Sequence, residues 1–301
     1  MFSLRRWSVI ALLVVSCCGL ARRTSTADDK EPAKLTPPET TEDKGSDKLS
    51  GWQRLFRKHS CEYTITVDGI DKAPLQLVKE PILNWSQPVR GGADGAVFIW
   101  TQAGRPLVIG TMFIWPQKDG KQGIAHELHS LSSAPLVGVW RDRTWTPPRD
   151  AIVWNSLADA PSPAATPEQR LRQMRDLARQ FSAESHDRDE RKWDLRLLPR
   201  HIYRYDFAGQ KTQIEAEREI LDGALFGFVE GTDLEIVLLI QARKTDAGPR
   251  WEYALARMSD FHLIARLSER TVWEAVRTGY DNPRLAYYCT TVESRVTADD
   301  E

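Results

Sequence analysis

The stretch Gly123-Ile124-Ala125-His126-Glu127-Leu128-His129-Ser130 holds the densest group of side chains able to move protons or bind a metal ion. In the zinc-peptidase pattern, two histidines stand at i and i+4 on one helical face, with a glutamate beside them as the base. Here they stand at i and i+3, and the surrounding residues alternate apolar and polar as a strand does. On a strand His126 and His129 point to opposite faces, whereas Glu127 and His129 share one. The chemistry open to the group is a carboxylate–imidazole pair. That supports a hydrolase reading, metal-dependent or carboxylate-based, centred near Glu127/His129, with His126 as the remaining candidate. No metal site and no cofactor are expected, and the glycine-rich phosphate loops, the nucleophile elbow and C-x-x-C are absent.

A second group lies in Val139–Trp154, VWRDRTWTPPRDAIVW, where Trp140, Trp145 and Trp154 alternate with Arg141, Arg143 and Arg149. Indole rings stack on sugars, and guanidinium groups hold anions and pack over aromatic faces. Trp140, Arg141, Arg143, Trp145 and Trp154 are therefore ligand-binding candidates. The alternative is that they cover the edge of a sheet.

The elements that must position these residues begin after an export segment. Arg5 and Arg6 precede the apolar run 8–15, which is too short to span a bilayer as a helix. Cys17 follows it directly, as in a bacterial lipoprotein box, and cleavage after Ala21 is the alternative. Residues 1–23 are thus read as signal peptide or lipobox, with lipidation at Cys17. Residues 24–50 contain no aromatic residue, Ile, Val or Met, so they are read as a disordered linker reaching roughly 30 Å. Cys61 and Cys289 remain in the folded part, and in an exported protein they are candidates for a disulfide. The formal net charge of -1 lacks the basic excess of a nucleic-acid binder.

Residues 51–60 suit a short helix, and alternating apolar residues then predict strands through most of 63–142. Thr166-Pro167 opens the clearest helix, with Leu171, Met174, Leu177, Ala178 and Phe181 on one stripe and an end near Glu184. The charged run 186–192 reads as a solvated loop. Strands return at 195–205 and continue to 267.

Two of these strands open alike, DGAVFIW at 94–100 and DGALFGF at 222–228. Asp94 to Asp222 and Trp145 to Trp273 are the same 128 residues apart. Asp-Gly is a turn signal, so each motif reads as a turn followed by a core strand, with Ala96/Phe98/Trp100 and Ala224/Phe226/Phe228 facing inward. We expect an α+β fold, mostly antiparallel β. It comprises two similar β-meander units from an internal duplication, near 61–146 and 193–275, with one helix between them. The regions are a first β-rich unit at 51–160, helix and charged connector at 161–192, and a second unit at 193–297.

DGAVFIWTQAGRPLVIG, HELHSLSSAPL, DGALFGFVEGTDLEIVLLIQAR and WEYALARM resemble a group of uncharacterised exported bacterial proteins across most of residues 75–275. The resemblance implies a coherent domain and brings no catalytic residue. The leading functional expectation is a binding or interaction module of the cell envelope, periplasm or exterior. Its partner would be a protein or glycan, not a nucleic acid, and it would touch membrane only through a lipid anchor. The hydrolase above and a structural envelope component are the alternatives.

Overall fold

The computed structural model describes residues 51–69, 73–88, 93–116, 121–207 and 219–296. The export segment, Cys17 and the 24–50 linker lie outside the described residues. What is described is mostly antiparallel strand with two helices.

Helix α1 (Gly51–Cys61) buries Leu55, Phe56 and His59. Strands β1 (Thr64–Val67), β2 (Gln76–Leu77), β3 (Leu83–Gln87), β4 (Ala93–Gln102), β5 (Arg105–Pro116), β6 (Gln122–Ser130), β7 (Leu136–Trp140) and β8 (Arg143–Trp145) follow. Both β2 and β3 pair with β4, which pairs with β5, which pairs with β6. Separately, β1 pairs with β7 and β7 with β8.

After β9 (Asn155–Ser156), helix α2 (Pro167–Ala178) begins the second half. The Thr166 hydroxyl accepts from the Gln169 N–H and so caps the helix. Strands β10 (Phe181–His186), β11 (Lys192–Leu197), β12 (Tyr203–Arg204), β13 (Ile220–Glu230), β14 (Asp233–Arg243), β15 (Arg250–Arg257), β16 (His262–Leu267) and β17 (Arg270–Ala275) run through the same order of pairings. β11 and β12 both pair with β13, then β13 with β14 and β14 with β15, while β10 pairs with β16 and β16 with β17. An added β10–β11 pairing joins these eight strands, with β9, into one nine-stranded sheet, whereas the first half forms a three-stranded sheet and, with β18 (Tyr287–Val296), a six-stranded one.

The strand after each half crosses to the other. β9 pairs with β15, and β18 (Tyr287–Val296) pairs with β6. The hairpin turns cross as well. The Gly104 carbonyl in the β4–β5 turn accepts from Asp206 N–H at 3.0 Å and from Tyr203 O–H at 3.0 Å. Thr232 in the β13–β14 turn bonds the Ser86 backbone twice, at 2.7 and 2.9 Å.

Alternation along β4 and β13 builds three cores in four layers. Ala96, Phe98 and Trp100 pack under α1, and Ala224, Phe226 and Phe228 under α2. The opposite faces, Val97 and Ile99 with Leu225 and Val229, meet between the two stacked sheets.

Two sequence expectations change. Asp94-Gly95 and Asp222-Gly223 lie inside β4 and β13 and form no turn. The glycines are there because an aromatic ring lies over each, from β3 in one case and from the residue after β12 in the other. A Cβ at Gly95 would stand 2.4 Å from the Trp85 ring, and one at Gly223 would stand 2.4 Å from the Tyr205 ring. The second helix ends at Ala178, not near Glu184, because Phe181–His186 is claimed by pairing with β16. That helix stands in the chain between the two sets of strands, as expected, and α1 precedes the first set.

Candidate functional site

His126 and Glu127 sit on opposite faces of β6 and enter different polar clusters. On the α1 side, His126 Nε2 lies 2.8 Å from His59 Nδ1, and Tyr63 Oη lies 2.8 Å from His126 Nδ1. Trp140 packs edge-on against His126 at 4.8 Å between ring centroids, and the Arg141 guanidinium lies 4.2 Å over the Trp140 ring. Burial holds His126 well below the usual imidazole range, reinforced by His59 and the nearby Arg141 and Arg143.

On the inter-sheet side, Tyr287 O–H donates to Glu127 Oε1 at 2.8 Å, with Cys289 directly opposite Glu127 across the β6–β18 ladder. Burial raises the Glu127 carboxyl to about 8; the Tyr287 hydrogen bond opposes this, and Asp260 and Glu235 add to it. Burial also lowers His129 to about 4. His129 Nδ1 bonds the Ser130 carbonyl at 2.8 Å, and Glu127 bonds Tyr287. The two share a face as expected, but each is hydrogen-bonded to another group. Among the described residues no group of three or more His, Cys, Asp and Glu side chains is placed to hold a metal ion.

Beside Glu127 and Cys289, the same face of the sheet opens into a cleft of about 340 Å³ lined by Phe113, Trp115, Ala125, Arg188, Tyr280 and Thr291. The alternation that buries Glu127 places Ala125 one step along β6, and Thr291 lies one step from Cys289 on β18. Phe113 and Trp115 come from the end of β5, with ring centroids 5.9 Å apart. Arg188, in the turn between β10 and β11, donates through Nη2 to Asp260 at 3.1 Å and to the Tyr280 hydroxyl at 2.5 Å. Its Nε–H and Nη1–H groups have no protein acceptor among the described residues. Tyr280 is 51% exposed. The cleft thus offers aromatic faces, a hydroxyl and uncommitted cationic donors, the furniture of a small-molecule site.

The Trp/Arg stretch is dispersed. Trp140 and Arg141 join His126. Arg143 donates to Thr290 at 2.8 Å. Trp145 is buried in the α1-side core and donates to the Leu285 carbonyl at 3.0 Å. Trp154 packs on the inter-sheet core with Arg105 over its ring. These tryptophans cover core, whereas the half-buried Trp115, which no motif marks, lines the cleft. Arg188 and Tyr280 also escaped sequence reading: Arg188 lies in the charged run read as a solvated loop, and Tyr280 in an aperiodic segment.

The expected Cys61–Cys289 bridge is not formed; Cys61 is an exposed free thiol and Cys289 a buried one. Cys61 ends α1 on one side of the six-stranded sheet, while Cys289 faces the inter-sheet side, so the sheet stands between them. Among the described residues no helix is long and apolar enough to cross a membrane. No family model, no curated protein and no solved structure matches the chain.

Proposed function

We propose that this is an exported binding protein, tethered at the envelope through Cys17, whose cleft takes a small ligand between two halves descended from one duplicated unit. The observation that carries the binding reading is the cleft itself. Phe113, Trp115 and Ala125 come from the first half, Arg188 from the second, and Tyr280 and Thr291 from the C-terminal segment. Stacking surfaces with an arginine favour a ligand with a flat apolar or sugar face and an acidic group. The duplication rests on the shared order of pairings, the reciprocal crossing of β9 and β18, and the ring-over-glycine contacts at Gly95 and Gly223. On this reading the repeat runs over α1–β8 and α2–β17, so each unit includes its helix.

The hydrolytic alternative is less well supported. Glu127 is hydrogen-bonded to a tyrosine and lies outside the cleft lining, and His129 is engaged by its own strand. The test is a ligand-observed NMR panel of neutral sugars, sugar acids and aromatic carboxylates. Acidic members bind the wild type and lose binding in Trp115→Ala and Arg188→Ala, while Trp154→Ala binds normally. Binding that survives both cleft variants, or an entirely silent panel, overturns the reading.

A further inference from the structure

A second group of imidazoles lies on the second half, on strands other than the one that carries His126 and Glu127. His186 on β10 and His262 on β16 are directly opposed in register, and their rings stand 5.2 Å apart between centroids with planes 32° apart. Directly opposed residues on antiparallel strands have side chains on one face and within reach of each other. Leu263 and Ala265 face the core under α2, so the alternation turns His262 to the opposite face of the sheet. Both imidazoles are partly open to solvent, His186 at 23% and His262 at 30%.

Each ring is backed by a carboxylate. His186 Nε2 lies 3.2 Å from Glu184 Oε1, and His262 Nε2 lies 2.8 Å from Glu274 Oε1. Glu184 is itself held by Arg266 at 2.6 Å and Lys192 at 2.9 Å, so it stands as an ionised acceptor. An imidazole that donates Nε2–H to a carboxylate keeps its lone pair on Nδ1, the tautomer and backing found behind metal-bound histidines. Neither Nδ1 has a protein donor among the described residues. We propose that His186 and His262 together bind a divalent ion of the zinc–copper class, through Nδ1 of each ring, with water completing the coordination.

The geometry allows this without moving the backbone. Metal–nitrogen bonds of about 2.0–2.1 Å require the two nitrogens to stand roughly 3 Å apart, which side-chain rotation on opposed positions can supply. Local charge does not forbid it: Arg266 and Lys192 are offset by Glu184 and Asp194, and Glu274 adds a further negative charge. By contrast, His59 and His126 face each other at 2.8 Å as a hydrogen-bonded pair, and Tyr63 takes the remaining nitrogen of His126.

The experiment is calorimetric titration of zinc chloride into the untagged full chain, with copper(II) electron paramagnetic resonance on the same protein. The wild type takes up one equivalent of zinc, and the copper spectrum carries two imidazole nitrogens. His186→Ala and His262→Ala each remove the binding. Glu274→Gln, at a side chain more than half exposed, keeps the fold and weakens zinc about tenfold by loosening the backing of His262. His201→Ala, which removes a histidine outside the pair, leaves the titration unchanged. A wild type that takes up no zinc, or an equivalent that persists in either single histidine variant, overturns the proposal.

Discussion

Three buried titratable groups on one strand pull stability in opposite directions. Glu127 has a folded pKa of about 8 against an ordinary value of 4.5, so the folded state holds a proton that the unfolded chain releases. Its contribution is complete below pH 4.5 and is lost as pH rises towards 8. His126 and His129 are held below 6.5 when folded, so their contribution is complete above 6.5 and is lost as pH falls, towards about 4 for His129. Each group changes stability by about 1.4 kcal/mol per pH unit within its window. Denaturant unfolding followed against pH therefore shows a maximum near 6.5, and Glu127→Gln removes the decline on its alkaline side. An unaltered alkaline slope in that variant contradicts the burial of a protonated Glu127. The thiols give a second prediction at this scale. Under native conditions maleimide labels Cys61 quickly and spares Cys289, which is 2% exposed and whose thiol burial raises further; equal labelling contradicts the placement of Cys289. Strand periodicity made the separation of His126 from Glu127 readable in the sequence. The partners Tyr287 and His59 were not readable, because they come from distant segments whose pairing no local pattern encodes.

At the scale of elements, the Asp-Gly pair shows how a correct motif acquires the wrong cause. Asp-Gly is a turn signal in isolation, but β4 and β13 continue through it, and the ring of Trp85 on β3 or of Tyr205 just after β12 takes the space above the glycine. Gly223→Ala should cost about 1–3 kcal/mol by overpacking, and much less when Tyr205 is already alanine. Additive costs in that double-mutant cycle contradict the contact. The neighbouring Asp222 is buried and accepts from Arg170 at 2.9 Å and Arg204 at 2.9 Å, tying α2 to β12 and β13. Asp222→Ala removes the carboxylate from two arginines, which keep only backbone carbonyl acceptors, and should lower stability by roughly 2–4 kcal/mol in the same measurement. The helix start at Thr166-Pro167 was legible because capping is local. Its end was not, since Phe181 satisfies a helical stripe and a strand alternation equally, and pairing with β16 decides between them.

For the whole molecule, the meanders and their inward faces were legible, while their mutual arrangement was not. Periodicity says which residues are buried but not against what, and β9 and β18 are too short or too irregular to announce partners in the opposite half. The consequence is a cleft assembled at a seam, with contributors from residue 113 to residue 291 and no contiguous motif to betray it. The central claim is that the two halves complete one another and hold that cleft between them. Its most direct test is to express residues 1–161 and 162–301 as separate chains, so that β9 and β18 stay with their own halves. Each fragment alone should give weak, non-cooperative thermal unfolding, and mixing should yield a one-to-one complex with the circular dichroism and cooperative melt of the intact protein. Two fragments that each fold cooperatively and fail to associate would contradict the account.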